Sequence, residues 1–231
     1  MKTAVLLSGC GVYDGSEIHE AVFSLLALDQ NNLDYICVAP NIKQHHVVNH
    51  TNGEEFKEER NVFFESARIA RGVICSLADL DYNEISSLVI PGGFGAAKNL
   101  SDWAFKGPNG YVLPEVKELI LDCIEHKKPI VALCISPTLI AKCLADSKYA
   151  PKITLGTTAD KSEYDIAEVH QLVTAIGAHI DEKTIQEICV DEELRIISAP
   201  CYMMNASISQ VYENIKSAID ELVNQLNKES K

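Results

Sequence analysis

Short apolar runs alternate with helix-spaced apolar positions along most of this chain. Ala4-Val5-Leu6-Leu7 is continuous and ends in the glycine-rich turn Ser8-Gly9-Cys10-Gly11. A parallel strand reads this way, because helices bury both of its faces. Ile18, Ala21, Val22, Leu25, Leu26 and Leu28 then recur at helical spacing, with Ser16 placed to cap that helix. Tyr35-Ile36-Cys37-Val38-Ala39 predicts a second buried strand, stopped by Pro40. These elements make one β-α-β unit.

The same alternation continues further on. Residues 42–75 are more polar and predict a long excursion with a helix over 58–71. Ser87-Leu88-Val89-Ile90 predicts a third core strand, ending in Pro91-Gly92-Gly93. Residues 99–114 hold Trp103, Phe105 and Tyr111 around the turn Pro108-Asn109-Gly110, which reads as an aromatic loop or lid. A helix over 115–126 follows, with Lys127-Lys128 at its negative end. Pro129 to Cys134 is the next core strand, and Ile135-Ser136-Pro137 turns it into a helix reaching about Leu144. The pattern then predicts a helix over 166–177, a hairpin of 187–190 with 194–198, and a C-terminal helix on Ile208, Val211, Ile215, Ile219, Leu222 and Leu226. The fold expected is a single doubly wound, mostly parallel α/β domain over 1–231, with insertions at about 42–75 and 99–114.

Charge removes several classes of function. The 231 residues carry 20 Lys+Arg against 33 Asp+Glu, a net charge of −13. Nucleic acid and anionic membrane surfaces are repelled by such a field, so neither is expected as a partner. No apolar run approaches the roughly 20 residues of a membrane span. The 8 cysteines contain no C-x-x-C pair, and a chain of this length needs no cystine scaffold. The start of the chain lacks the apolar region and cleavage pattern of a signal peptide. A reduced, cytoplasmic protein is the expectation.

One of those cysteines stands apart. Cys134 ends an apolar strand and opens a helix with almost no loop between. Such an elbow puts a side chain at the carboxyl edge of the sheet, where doubly wound folds bind ligands. The helix N-terminus there predicts a thiol pKa below the usual value of roughly 8.5. Ile135 N–H is positioned as an oxyanion donor. A buried structural thiol is the alternative, and Ala132 and Ser136 stand where an α/β-hydrolase elbow has glycines. Glu20 lies one turn inside the first helix and could reach the sulfur with a raised pKa, or could simply answer the helix dipole, with Glu17 nearer the exposed end. Gly92-Gly93 allow backbone N–H groups to approach a ligand oxygen, or form an ordinary turn.

Other patterns are weaker. Gly9-x-Gly11-x-x-x-Gly15 has one residue too many for a dinucleotide fingerprint, and no acid ends the second strand. There is no G-K-[ST] for a phosphate loop. His45, His46 and His50 read as exposed histidines rather than a metal site, since nothing completes a ligand set. His19 and Cys10 lie close enough in sequence to the first loop to line a site; for Cys10 a packed loop thiol is the plainer reading.

Three strings carry a resemblance: residues 7–21, running Leu-Ser-Gly-Cys-Gly-Val-Tyr-Asp-Gly-Ser-Glu-Ile-His-Glu-Ala; residues 89–100, running Val-Ile-Pro-Gly-Gly-Phe-Gly-Ala-Ala-Lys-Asn-Leu; and the elbow at 133–137, Leu-Cys-Ile-Ser-Pro. Together they resemble the ElbB group, the isoprenoid-biosynthesis glyoxalase-like or sigma cross-reacting proteins. That group sits in the class I glutamine amidotransferase-like superfamily with the PfpI proteases and the deglycases. The resemblance runs nearly end to end and includes Ala199-Pro200-Cys201-Tyr202-Met203. It implies a flavodoxin-like fold, Cys134 as nucleophile, Glu20 as the acid on its sulfur, and Gly93 with Ile135 as oxyanion donors. Gly92, Cys10 and His19 become possible site lining. It departs in one respect. Many superfamily members have a histidine about twenty residues after the elbow, but Ile153-Thr154-Leu155-Gly156-Thr157 has none, and 198–205 lacks the late H-x-E of amidotransferases.

The activity implied is a slow glyoxalase that needs no cofactor and no metal, acting on a small α-oxoaldehyde, in a homodimer. The alternatives are a metabolite-binding or regulatory protein without efficient turnover and, behind it, a redox sensor at Cys134.

Overall fold

The computed structural model describes residues 1–229. In chain order the elements are β1 (Lys2–Leu6), α1 (Ile18–Gln30), β2 (Tyr35–Ala39), α2 (Val62–Ile69), β3 (Ile74–Ser76), β4 (Ile85–Ile90), α3 (Phe94–Lys98) and α4 (Trp103–Lys106). There follow α5 (Pro114–Glu125), β5 (Ile130–Leu133), α6 (Pro137–Leu144), β6 (Lys152–Ile153), α7 (Ile166–Thr174), β7 (His179–Ile180), β8 (Cys189–Asp191), β9 (Ile196–Ala199) and α8 (Ile208–Glu229). The main sheet has seven strands in the order β3-β2-β1-β4-β5-β9-β8. Every neighbour pair is parallel except β8 with β9. This is the doubly wound α/β fold expected from the run pattern.

Strand alternation divides the core. Ala4, Leu6, Leu88, Ile90, Ile130 and Ala132 face one layer, where α5 contributes Val116, Leu119 and Ile120. Val5, Leu7, Val89, Val131 and Leu133 face the other, filled from α1 and α8 by Ala21, Leu28, Val211, Ile215, Ile219 and Leu222. The period of two along each strand thus feeds two cores from one run of apolar residues.

The chain winds from β1 out to β3, then returns past β1 to β4. Strand order therefore reverses between β1 and β4, and the carboxyl ends there open a crevice.

Several expectations need correction. The polar excursion is shorter than 42–75, because Ile74, Cys75 and Ser76 form the edge strand β3. Only three residues pair there, too few for a periodic signal. The helix predicted over 58–71 covers Val62–Ile69, since Asn61 caps it by accepting from Phe63 and Phe64 N–H. The two-residue strands β6 and β7 form a separate parallel sheet that the pattern does not foretell. The 99–114 segment is a fastened wall rather than a lid. Lys142 Nζ donates to Pro108 O at 2.6 Å, Leu113 N to Leu100 O at 2.9 Å, and Trp103 is buried in the core.

Candidate active site

Four strand ends meet at the crevice. The loop after β1 delivers α1, the loop after β4 delivers Gly92 and Gly93, β5 ends at Cys134, and β9 ends next to Cys201 and Tyr202. Cys134 has φ 59°, the left-handed region that side chains avoid. The surroundings hold it there. Cys134 N donates to Ala199 O at 2.9 Å, and Ser136 Oγ donates to Pro91 O at 2.8 Å, tying the elbow to the strand ends on both sides. A thiol on such an elbow is raised above the sheet edge.

Glu20 is completely buried on the first turn of α1. Gly92 N donates to its Oε2 at 2.9 Å and Tyr202 N to its Oε1 at 3.4 Å. Those donors favour the carboxylate, but burial and the nearby Glu17 charge outweigh them and lift Glu20 to about 8. Cys134 and Glu20 are hydrogen-bonded to each other. Burial, the Glu20 charge and that hydrogen bond push the Cys134 thiol well above its ordinary value, while the N–H groups of Gly93 and Ile135 pull it back. The expectation of a thiol activated by the helix end is therefore corrected. The helix N–H groups do point at sulfur, but a desolvated carboxyl beside it costs more than they return. The pair behaves as one unit that resists carrying two negative charges.

Gly92 has no room for a side chain. A methyl group there would lie 2.5 Å from Glu20 Oε2 and 3.0 Å from Cys134 Sγ. Gly93 has φ 97°, so its N–H can turn toward the sulfur only without a Cβ.

The helix cap differs from expectation. Glu17, not Ser16, caps α1: its Oε2 accepts from Glu20 N at 2.7 Å. Ser16 Oγ instead accepts from Ser8 N at 2.9 Å, closing the glycine-rich loop. Glu17 is also buried rather than exposed, and burial raises its carboxyl. His19 lies behind the site. It is half exposed, and its Nδ1 meets Tyr202 Oη at 2.9 Å. Cys10 stays away from the sulfur. It bridges Ser16, and its charged neighbours are Glu65, Arg68, Asp14 and Arg60. His50 accepts Tyr13 N–H at its Nε2, 3.2 Å, and so braces the first loop.

Over Cys134 opens a cavity of about 350 Å³. Phe94, Trp103, Tyr164, Leu172 and Met203 make most of its wall, with Glu17 and Glu168 as its charged members. Among the described residues, no lysine, arginine or histidine lines it. Sequence reasoning missed Glu17, Tyr164, Trp103, Cys201 and Tyr202 as site neighbours. Cys201 had a signal: it stands one residue beyond the end of a core strand, after Pro200, and in the structure it shares with Cys134 a positive φ, 46°. Trp103 and Tyr164 come from segments distant in sequence from the elbow and the first loop, so no local pattern marks them.

No family model matches the chain. Curated relatives do. The rat ES1 protein homolog is 37% identical over 224 residues, covering 96% of this chain and 83% of that protein. The human glutamine amidotransferase-like class 1 domain-containing protein 3 is 36% identical, covering 96% of this chain and 82% of the relative. The chain belongs to this glutamine amidotransferase-like ES1 family. Among solved structures, the isoprenoid biosynthesis protein with amidotransferase-like domain from Ehrlichia chaffeensis superposes with TM-score 0.87 at 39% identity, covering 97% of this chain and all of that one. Drosophila melanogaster DJ-1beta, at 14% identity and TM-score 0.53 over 97% of each chain, shares the fold.

One expectation falls with these findings. The rat, human and zebrafish ES1-family proteins are all named as mitochondrial, which overturns the cytoplasmic assignment. Its basis was the cysteine pattern together with the lack of a signal-peptide pattern and of a membrane-length apolar run. Reduced cysteines report a reducing compartment and do not tell the cytosol from other reducing compartments.

Proposed function

We propose that this ES1-family chain is a cofactor-independent glyoxalase of the ElbB type, turning an α-oxoaldehyde into the 2-hydroxy acid. One observation carries the reading: a strained elbow cysteine stands between a buried, proton-holding carboxyl and a pair of backbone N–H groups at the floor of a cavity. Once the pair has given up one proton to solvent, the ionised Glu20 takes the Cys134 proton as sulfur attacks the aldehyde carbon and the carbonyl electron pair moves onto oxygen. The N–H groups of Gly93 and Ile135 hold the oxygen that gains charge. Glu20 gives that proton to the oxyanion, completing the hemithioacetal, then removes the proton from the aldehyde-derived carbon to give an enediolate and delivers it to the neighbouring carbon, while the hydroxyl proton of the first carbon moves to the neighbouring oxygen. The product of that shift is a thioester. Water adds to it, the 2-hydroxy acid leaves, and the thiol is restored with no net oxidation. A carboxyl at about 8 suits this shuttling, because it both gives and takes a proton near neutrality.

The test is lactate formation from methylglyoxal without glutathione or metal. Cys134→Ala should abolish it, and Glu20→Gln should nearly do so. Full activity in Cys134→Ala would sink the proposal. A second reading, a metabolite-binding or regulatory protein, draws support from the absence of a histidine among the cavity-lining residues. Saturable metabolite binding with no turnover of any α-oxoaldehyde would favour it.

A further inference from the structure

The glyoxalase reading leaves a mismatch of scale. Methylglyoxal is only a few heavy atoms, yet the cavity over Cys134 measures about 350 Å³. Proteins hold drug-sized ligands in clefts of roughly 300–1,000 Å³. The surplus space has a definite chemistry. Phe94 and Trp103 from the α3–α4 stretch, Tyr164 from the loop before α7, Val169 and Leu172 from α7, and Met203 beyond β9 are apolar or aromatic. Trp103 is buried and held by the fastened 99–114 segment, so this wall is built before any ligand arrives.

Charge narrows the choice further. Glu17 and Glu168 are the ionisable carboxyls on the lining, and among the described residues no lysine or arginine lines the cavity with them; the nearest basic group to Glu17 is the imidazole of His19, 3.9 Å from its Oε1 outside the cavity. The lysines of the neighbouring segment are engaged elsewhere. Lys98 Nζ donates to Tyr13 O at 2.9 Å, and Lys106 pairs with Asp102 at 2.8 Å. An anionic substituent entering this space would lose its water, meet two carboxylates and find no partner.

Resting on the glyoxalase reading, we propose that the site selects α-oxoaldehydes bearing a neutral apolar substituent, alkyl or aryl, over unsubstituted and anionic ones. The wall formed by Trp103, Leu172 and Met203 receives that substituent while the aldehyde lies against Cys134. Glu168 at the mouth turns away carboxylate- and phosphate-bearing analogues.

Methyl-, ethyl-, propyl- and butylglyoxal compared by kcat/KM read the apolar half. Each methylene buried should raise the value roughly fourfold, and Ala104→Phe, at an exposed position on the cavity rim, should flatten the series. A series that is flat or falling in the unaltered protein overturns the proposal. For charge, the carboxylate-ended 4,5-dioxopentanoate should be at least about tenfold poorer than butylglyoxal, and Glu168→Lys should narrow that gap. Equal turnover of the two, or a gap unmoved by Glu168→Lys, overturns the exclusion. Binding separates this inference from the reading beneath it. Trp103 is the only tryptophan in the sequence, so its fluorescence reports the cavity directly. In Cys134→Ala protein, acetophenone should quench it saturably and benzoate should not. That result with no turnover of any aldehyde by the unaltered protein would end the glyoxalase reading and keep the selectivity; no acetophenone binding would end the selectivity itself.

Discussion

Replacing Glu20 by glutamine tests the central electrostatic claim through stability alone. The carboxyl is fully buried and is lifted from an ordinary 4.5 to about 8. Each unit is worth about 1.4 kcal/mol, so ionising Glu20 in the fold costs on the order of 5 kcal/mol more than ionising it in the unfolded chain. The sign follows from proton counting. Between 4.5 and about 8 the folded protein holds a proton that the unfolded chain has released. The stability this provides is complete below about 4.5 and is lost as pH rises through about 8. Glutamine has nearly the same shape and cannot ionise. Its oxygen can still accept from Gly92 N, now bonded at 2.9 Å, while the longer bond from Tyr202 N, at 3.4 Å, is given up. At pH 5 the variant should therefore be slightly less stable, by about 1 kcal/mol. At pH 8.5 it should be the more stable protein by several kcal/mol. Urea unfolding of both proteins at half-unit steps from pH 5 to 8.5 measures this, and titrations common to both cancel in the difference. Parallel stability profiles would refute the reasoning: Glu20 would then be ionised in the folded protein at neutral pH, and the shuttle built on it would fail.

Four further outcomes follow from the geometry. Because Cys134 and Glu20 must lose one proton between them before sulfur attacks, kcat/KM should climb about tenfold per pH unit below about 8 and level off above it; a profile already flat at pH 6 contradicts this. Gly92→Ala should leave a folded protein with activity down at least about a hundredfold, since the methyl displaces Glu20 Oε2 and Cys134 together, and near-normal rates would argue against their pairing. Ser136→Ala removes the bond to Pro91 O, so about 1 kcal/mol of stability should go, with kcat falling more than KM changes. Tyr202→Phe breaks the contact with His19 but keeps the backbone donor to Glu20, so its kcat/KM should stay within about twofold; a large loss would bring His19 into the chemistry.

What could be read without coordinates shows in particular elements. Residues 35–39 are a strand in both reading and structure, because five successive apolar residues enter the sheet and the last three, Cys37, Val38 and Ala39, are buried on both faces. The 187–198 hairpin was legible from its acidic turn, and the elbow from proline placed just after a strand-ending cysteine. β3 and the β6–β7 pair were not, for a strand of two or three residues has no period to detect. Glu17 was misplaced because its spacing fits a solvent-facing turn; only the packing of the first loop against Gly92 O, which accepts Glu17 N–H at 2.9 Å, buries it.

The sequence by itself determined the doubly wound architecture, while its resemblance to the ElbB group put Cys134, Glu20 and Gly93 forward as a set. Periodicity and turn chemistry are local, and they travel with the chain. The tertiary structure alone decided the state of that set. Four strand ends converge on Cys134, water is excluded from Glu20, and the thiol expected to be acidic is held protonated beside a carboxyl that shares its proton. It also decided what lies above the sulfur. Trp103, Tyr164, Leu172 and Met203 become neighbours only when the sheet is assembled, and a pKa or a cavity wall depends on neighbours in space.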